Sequence, residues 1–347
     1  MGVSVLTAAC GNGGRSGTQT SVDSTAAAAA TDIVGPDRPI DLGSPANIPE
    51  LDPTTMLVDP SSIVYDTFDG GSVSLTDADP GVVRGLIDAI SPIDAPDYES
   101  SFEGQWLSPE DLIVGFLDSD GSAWAFPVRV LNFHEIVNDQ FAGVPVLVSY
   151  CPLCGSGVVF DRRVGNRLLS FSNTSALHEN DLVMVDRETG SYWWQVPGRA
   201  LGGPLAGSEL TALASETTTW TRWLAAHPAT RVMMRPAGRT YDRDPFVGYQ
   251  DLVNEGVTPF PVESGALADG RLPAGERVLV ATINGETRAW PTSPARTVED
   301  SVGGIDVVVT TDGIGGSGVD PGGVRLATRS SFWFAIVAAF PEVTVGP

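Results

Sequence analysis

Two of the three cysteines stand in one short segment, Cys151-Pro152-Leu153-Cys154-Gly155. A Cys-x-x-Cys pair closed by glycine at a hairpin tip has the form of a metal knuckle. The turn carries both sulfurs to one side, and its backbone N–H groups can hydrogen-bond the thiolates. The glycine accepts the backbone conformation that closes the turn. Zinc sites with two such pairs are self-sufficient; here one pair is present, so further ligands must come from elsewhere in the chain. His134 lies just upstream, at the entry to the hairpin that delivers Cys151, and is the expected third ligand. Glu135 or Asp139 would be a fourth ligand, an orienting partner or a general base. Two thiolates, one imidazole and an open position suit zinc, or copper in an exported compartment.

Two other readings use the same cysteines. A thioredoxin-type dithiol follows an apolar strand but opens a helix, whose N-terminus lowers the thiol pKa. The run Gly155-Ser-Gly-Val-Val-Phe160 is strand-like, which counts against dithiol exchange. A simple structural disulfide is the third reading. His178 falls in a polar loop and reads as solvated, with ligation as its alternative. His227 caps a tryptophan-containing helix before Pro228, where a cation suits the helix C-terminus. Further along, Met184 to Gln195 is dense in polar and aromatic groups. Asp186, Arg187, Trp193, Trp194 and Gln195 could form a contact surface for a small molecule or an envelope partner. The Asp186–Arg187 pair could equally be a buried salt bridge. No Ser-His-Asp order, phosphate loop or dinucleotide fingerprint is present, so no nucleotide cofactor is expected.

The elements that must position these residues are mainly strands. Leu112-Ile-Val-Gly-Phe-Leu117, the turn Asp118-Ser-Asp-Gly121 and Ser122-Ala-Trp-Ala-Phe126 read as a hairpin. Val144 to Tyr150 is a second strand run. Gly165-Asn166 marks a turn between Val158–Phe160 and Leu168–Phe171, and Arg187 to Gly190 a turn between two more strands. One clear helix covers 219–226, with Trp220, Trp223 and Leu224 on one face. The grammar of 111–160 recurs in 277–309, with Ala125-Phe-Pro127 against Ala289-Trp-Pro291 and Val137-Asn-Asp139 against Val298-Glu-Asp300; each copy also ends in an aromatic helix, with Trp220 and Trp333 each eight residues before a proline. Such self-similarity argues for duplication. The second copy has Ala295 in place of His134, Arg296 in place of Glu135, and no cysteine. Scaffold requirements alone therefore do not explain His134, Glu135, Cys151 and Cys154. The expected fold class is α+β, mainly β. A first unit spans about 50–245, a degenerate second unit 246–347, and the two pack as one body.

The chain has 347 residues, 42% of them hydrophobic, which suffices for a sizeable core. Its 43 acidic residues outweigh 20 basic ones, all arginine, for a net charge of −23. A surface this negative repels phosphate backbones and anionic lipid headgroups, so nucleic acid is not an expected partner. The beginning of the chain, Val3 to Cys10, is a short apolar stretch ending in small residues before a cysteine. It resembles the end of a bacterial lipoprotein signal, with Cys10 as the lipidated residue. Residues 11–48 read as a flexible linker rich in Gly, Ser, Thr, Ala and Pro. The expected location is therefore outside the cell membrane, held on its outer face by the lipid alone.

The combination of His134-Glu-Ile-Val-Asn-Asp139, Pro145-Val-Leu-Val-Ser-Tyr-Cys-Pro-Leu-Cys-Gly155, Met184 to Trp193 with Gln195, Tyr241-Asp-Arg-Asp-Pro-Phe246 and Phe332-Trp-Phe-Ala335 resembles one family of unknown function, DUF3179. The resemblance covers roughly residues 50 to 345. It implies a bacterial or archaeal protein, often exported, and no particular reaction. Two positions depart from the family's pattern: Val185 stands where tyrosine is usual, and His178 where histidine is not.

Overall fold

Short apolar runs broken by glycine-containing turns favour strands over helices, and the computed structural model, which describes residues 40–347, is mostly β with five short α-helices among the described residues. The largest sheet has nine strands. Its spine runs from Thr344–Val345 through Glu286–Pro291, Arg277–Ile283, Thr328–Phe332, Ser156–Asp161, Val144–Cys151 and Ile136–Phe141 to Ile93–Asp94. Strands from both ends of the sequence thus share one sheet. A six-stranded sheet contains Phe171–His178, Asp181–Asp186 and Tyr192–Trp194. Smaller sheets are built on Leu112–Leu117 with Ala123–Pro127, and on Arg296–Val302 with Ile305–Thr311.

Two hairpins have matching surroundings. Ile113 faces Pro127 in one and Val278 faces Pro291 in the other. Ser215–Thr219 pairs with the first hairpin and runs directly into the helix Trp220–Ala226. Thr328–Phe332 pairs with the second and runs into the helix Trp333–Ala339. The hairpin tips also correspond: Cys151 is opposite Ser156, and Thr311 is opposite Gly316. The surroundings then diverge. The strand Val144–Cys151 lies inside the nine-stranded sheet, whereas Ile305–Thr311 belongs to a separate sheet of three.

Strand alternation sets what the cysteine strand presents to each side. Leu147 and Cys151 point into a core shared with Phe160, Phe171, Val183 and Trp193, between the nine- and six-stranded sheets. Val146, Val148 and Tyr150 point the other way, into an aromatic core with Tyr98, Phe126 and Phe141. Both faces of the strand are covered, which is why Val144–Cys151 reads as a near-continuous apolar run.

The boundary of the expected linker needs correction. The Gly43 N–H donates to Ser170 Oγ at 2.8 Å, and Ile48 is buried, so the folded body begins before residue 48. The turn at Gly165-Asn166 is present, but it joins the two-residue strands Arg163–Val164 and Arg167–Leu168 as a small flap. The strand Ser156–Asp161 instead pairs with the cysteine strand. The signal-like segment 1–10, with Cys10, lies outside the described residues, as does most of the linker. Among the described residues no helix is long and apolar enough to cross a membrane.

Candidate metal centre

Cys151 is the last residue of its strand, and the chain turns back within four residues. Cys154 N–H donates to Cys151 O and Gly155 N–H to Pro152 O, each at 3.3 Å. Gly155 has φ of +55°, and a Cβ there would stand 3.0 Å from the Phe332 ring, so conformation and space both call for glycine. The strand Thr328–Phe332 clamps the loop. Phe332 N–H donates to Cys154 O at 2.7 Å, and Ser331 Oγ donates to the same oxygen at 3.1 Å.

Opposite the loop, the six-stranded sheet supplies Asp181. It follows a tight turn in which Glu179 and Asn180 both take positive φ, 53° and 59°. Non-glycine residues in this region cost strain, and here their side chains are tied down. The Glu179 carboxylate accepts from Ser264 Oγ at 2.6 Å, and Asn180 Nδ2 donates to the Tyr249 hydroxyl at 3.0 Å. The turn thereby fixes two things at once. Asn180 O accepts from the Cys154 thiol at 3.4 Å, and Asp181 points at both sulfurs.

The ligand atoms of Cys151, Cys154 and Asp181 all lie within 4.8 Å of one another, and all three residues are buried. Both cysteines are free in this structure. One Asp181 oxygen accepts from Val196 N–H at 2.9 Å; the other, Oδ1, is buried with no hydrogen-bond partner. An orphaned carboxylate oxygen beside two thiols is unusual in a folded core.

Glu135 adds a fourth acidic group. It lies just before the strand Ile136–Phe141 with φ of +59°, and its carboxylate accepts from Asn173 Nδ2 at 2.7 Å. Burial pushes its pKa up to about 8, and the negative charge of Asp181 adds to the rise. Burial likewise pushes Asp181 up to about 7, against the lowering effect of the Val196 N–H. Burial raises both thiols as well, Cys154 the more strongly. None of the four groups belongs to an ion pair among the described residues. Four buried acids therefore lie together without a protein cation.

The expected third ligand is not in the cluster. His134 Nδ1 is 2.7 Å from Ser91 O, and its Nε2 is 2.8 Å from the Tyr241 hydroxyl, so both ring nitrogens are occupied elsewhere. Asp181 takes its place. Asp139 is also elsewhere, for a reason of parity. On the strand Ile136–Phe141 it shares a face with Val137 and Phe141, away from Cys151, and accepts from the Tyr98 hydroxyl at 2.6 Å. His178 is not solvated. It is buried, packs edge-on to Trp194 and bonds Ser62 Oγ at 3.1 Å. His227 does cap its helix, with its ring against Trp223.

The Asp186 segment is interior, and of its two readings the structure shows the salt bridge, with a different partner. Arg187 pairs with Asp94 at 2.6 Å, not with Asp186. Asp186 instead organises its own turn, accepting from Thr189 N–H and Trp193 Nε1. Gln195 accepts from Ser156 Oγ at 2.7 Å, behind the cysteine loop. Trp193 is fully buried, and Trp194 nearly so. These side chains brace the core rather than forming a contact surface. The sequence reading missed Asp181. Its one signal is an acidic residue heading the apolar run Leu182-Val-Met-Val185 and facing inward.

The fold and site thus define a mainly β protein with a buried Cys–Cys–Asp cluster held between two sheets. The chain belongs to DUF3179, a family described as protein of unknown function, whose model matches residues 87–321. That span includes all three members of the cluster. No curated protein and no solved structure matches the chain.

Proposed function

We propose that the protein holds a metal ion at Cys151, Cys154 and Asp181. The observation that carries this reading is the convergence of three buried acidic donors, one with an unpartnered oxygen, where the protein supplies no compensating cation. Burying even one uncompensated charge is costly, so these groups either stay protonated or gather around a cation. A divalent ion bound there would displace the protons and neutralise most of the ionised cluster. Two thiolates with a carboxylate match the donor set of zinc, and the hard carboxylate oxygen argues for zinc over monovalent copper. Glu135 stays out of hydrogen-bond contact with the sulfurs and tunes the local charge. The closed surroundings favour a metal with a structural or electronic role over a dithiol that must meet a partner. Reactive dithiols need low-pKa, accessible sulfur, and here burial does the reverse.

The test is elemental analysis with a thiol count on protein purified without chelator, beside the Cys151→Ser/Cys154→Ser double variant and Asp181→Asn. About one zinc per chain in the wild type, with loss in the double variant, is the expected result. Copper at the same stoichiometry would keep the site and change the metal. No metal in the wild type after zinc and copper supplementation would overturn the reading. We also infer that the two hairpin-and-helix units arose by duplication, supported by their matching strand registers and helix entries.

A further inference from the structure

A cleft of about 300 Å³ opens beside the cysteine loop. Tyr150 and Pro152, the neighbours of Cys151 in sequence, form part of its wall, together with Tyr249, Phe332 and Arg277. Pro152 lines the cleft while the sulfurs are turned into the core, so the loop serves both sites with different atoms.

The charges in this cleft do not cancel internally. Arg129 is neutralised by Asp111 at 2.9 Å. The Arg277 guanidinium lies over the Phe332 ring, 4.8 Å from its centroid, and reaches Gly155 O at 3.4 Å. Among the described residues no carboxylate lies within ion-pair distance of it. Asp244 and Glu110 line the same cleft. Asp244 Oδ1 accepts from Asn132 Nδ2 at 3.0 Å and from Phe246 N–H at 2.9 Å, and neither carboxylate has a cationic partner among the described residues. One unpaired cation and two uncompensated carboxylates thus share a cleft whose other walls include the rings of Tyr150, Phe246, Tyr249 and Phe332.

We propose that this cleft binds a small zwitterion with an apolar body, in the chemical class of an aromatic or aliphatic α-amino acid. The ligand carboxylate pairs with Arg277, whose planar fork suits it. The ligand ammonium sits toward Asp244 and Glu110, and the apolar part lies against Tyr249 and Phe332. Charge balance selects this class over a simple anion. The lining carries two arginines against three carboxylates, on a chain of net charge −23, so a lone anion is repelled on approach. A lone cation would leave Arg277 without a partner. The volume is at the lower end for ligand clefts, which limits the occupant to one small molecule. The proposal shares no ligand atom with the metal centre and stands whether or not a metal is bound.

The experiment is titration of the full-length protein by calorimetry and ligand-observed NMR with three probes: L-phenylalanine, 3-phenylpropionate and phenethylamine. L-Phenylalanine should bind, with each singly charged probe at least tenfold weaker. Arg277→Gln should weaken L-phenylalanine tenfold or more and leave phenethylamine unchanged. Because Arg277 also touches the cysteine loop, Asp244→Asn, at an exposed position, provides the second test. It should weaken L-phenylalanine and phenethylamine while sparing 3-phenylpropionate. Equal binding of 3-phenylpropionate and L-phenylalanine would overturn the proposal in favour of an anion site. Equal binding of phenethylamine would overturn it in favour of a cation site. Absence of binding by all three at millimolar concentration would overturn it outright.

Discussion

Replacing Asp181 with asparagine separates the cost of the buried carboxyl group from its use. In the metal-free protein, burial raises the Asp181 pKa from 3.8 to about 7. Between those values the folded form binds more protons than the unfolded chain, so stability falls as pH rises. The contribution is fully present below the unfolded value and is lost by the folded one. At about 1.4 kcal/mol per pH unit, the full loss is roughly 4 kcal/mol, of which about 2 kcal/mol falls between pH 5 and pH 7, the slope flattening as the folded group itself ionises. Asparagine keeps the shape and an oxygen for Val196 N–H, and does not titrate. The assay is urea denaturation of wild type and Asp181→Asn at pH 5, 6, 7 and 8 with chelator present. The variant should lose a little under half of the wild-type slope over this range, about 3 kcal/mol between pH 5 and pH 8, and be more stable than the wild type at pH 8. Glu135, pushed up to about 8, supplies the slope that remains. Adding zinc should reverse the ranking at pH 8, because only the wild type gains a full set of donors. An unchanged pH slope in the variant would refute the claim that Asp181 is a buried, uncompensated acid.

Three further substitutions test the surrounding frame. His134→Gln should leave the metal content unchanged, since His134 is held by Ser91 and Tyr241; loss of metal on elemental analysis would return His134 to the ligand set. Gly115→Ala should destabilise the protein by about 3 kcal/mol in denaturant melts, because its Cβ would lie 2.4 Å from the buried Trp223 ring. Arg187→Met should cost about 3 kcal/mol by the same assay, leaving Asp94 without its ion-pair partner and Ser172 Oγ without the donor Arg187 Nε; a neutral effect would contradict the bracing role.

The strands were legible where period and turn chemistry agreed. The Asp-Gly turn before Ser122 and the tryptophan helix ended by Pro228 are local signals, and the structure has both. The cysteine knuckle was legible too, because its geometry is set within five residues. The third member of the cluster was not. Asp181 approaches Cys154 across the space between two sheets, and sequence proximity favoured His134 instead. The same locality misplaced Asp139. One residue of strand parity sends its side chain to the opposite face, a detail hidden by the positive-φ residue Glu135 at the strand's entrance. Arg187 stands beside Asp186 in the sequence, while its ion-pair partner, Asp94, is 93 residues away.

The second hairpin tip bears on why the cysteine loop exists. Thr311 and Gly316 face each other across a tip as Cys151 and Ser156 do, yet between them lie Asp312, Gly313, Ile314 and Gly315. There the Asp312 carboxylate holds the turn by accepting from Ile314 N–H and Gly315 N–H at 2.9 and 2.8 Å. A tip of this length therefore closes on side-chain and backbone hydrogen bonds alone. At the first tip no side chain plays that part. The loop is held from outside by Phe332, Ser331 and Arg277, and its sulfurs turn inward toward Asp181 and near Glu135. The arrangement gives up a simple local cap and gathers four buried acidic groups whose ionised forms repel one another. Folding does not demand that exchange, whereas a bound cation turns the same four groups from mutual repulsion to mutual stabilisation.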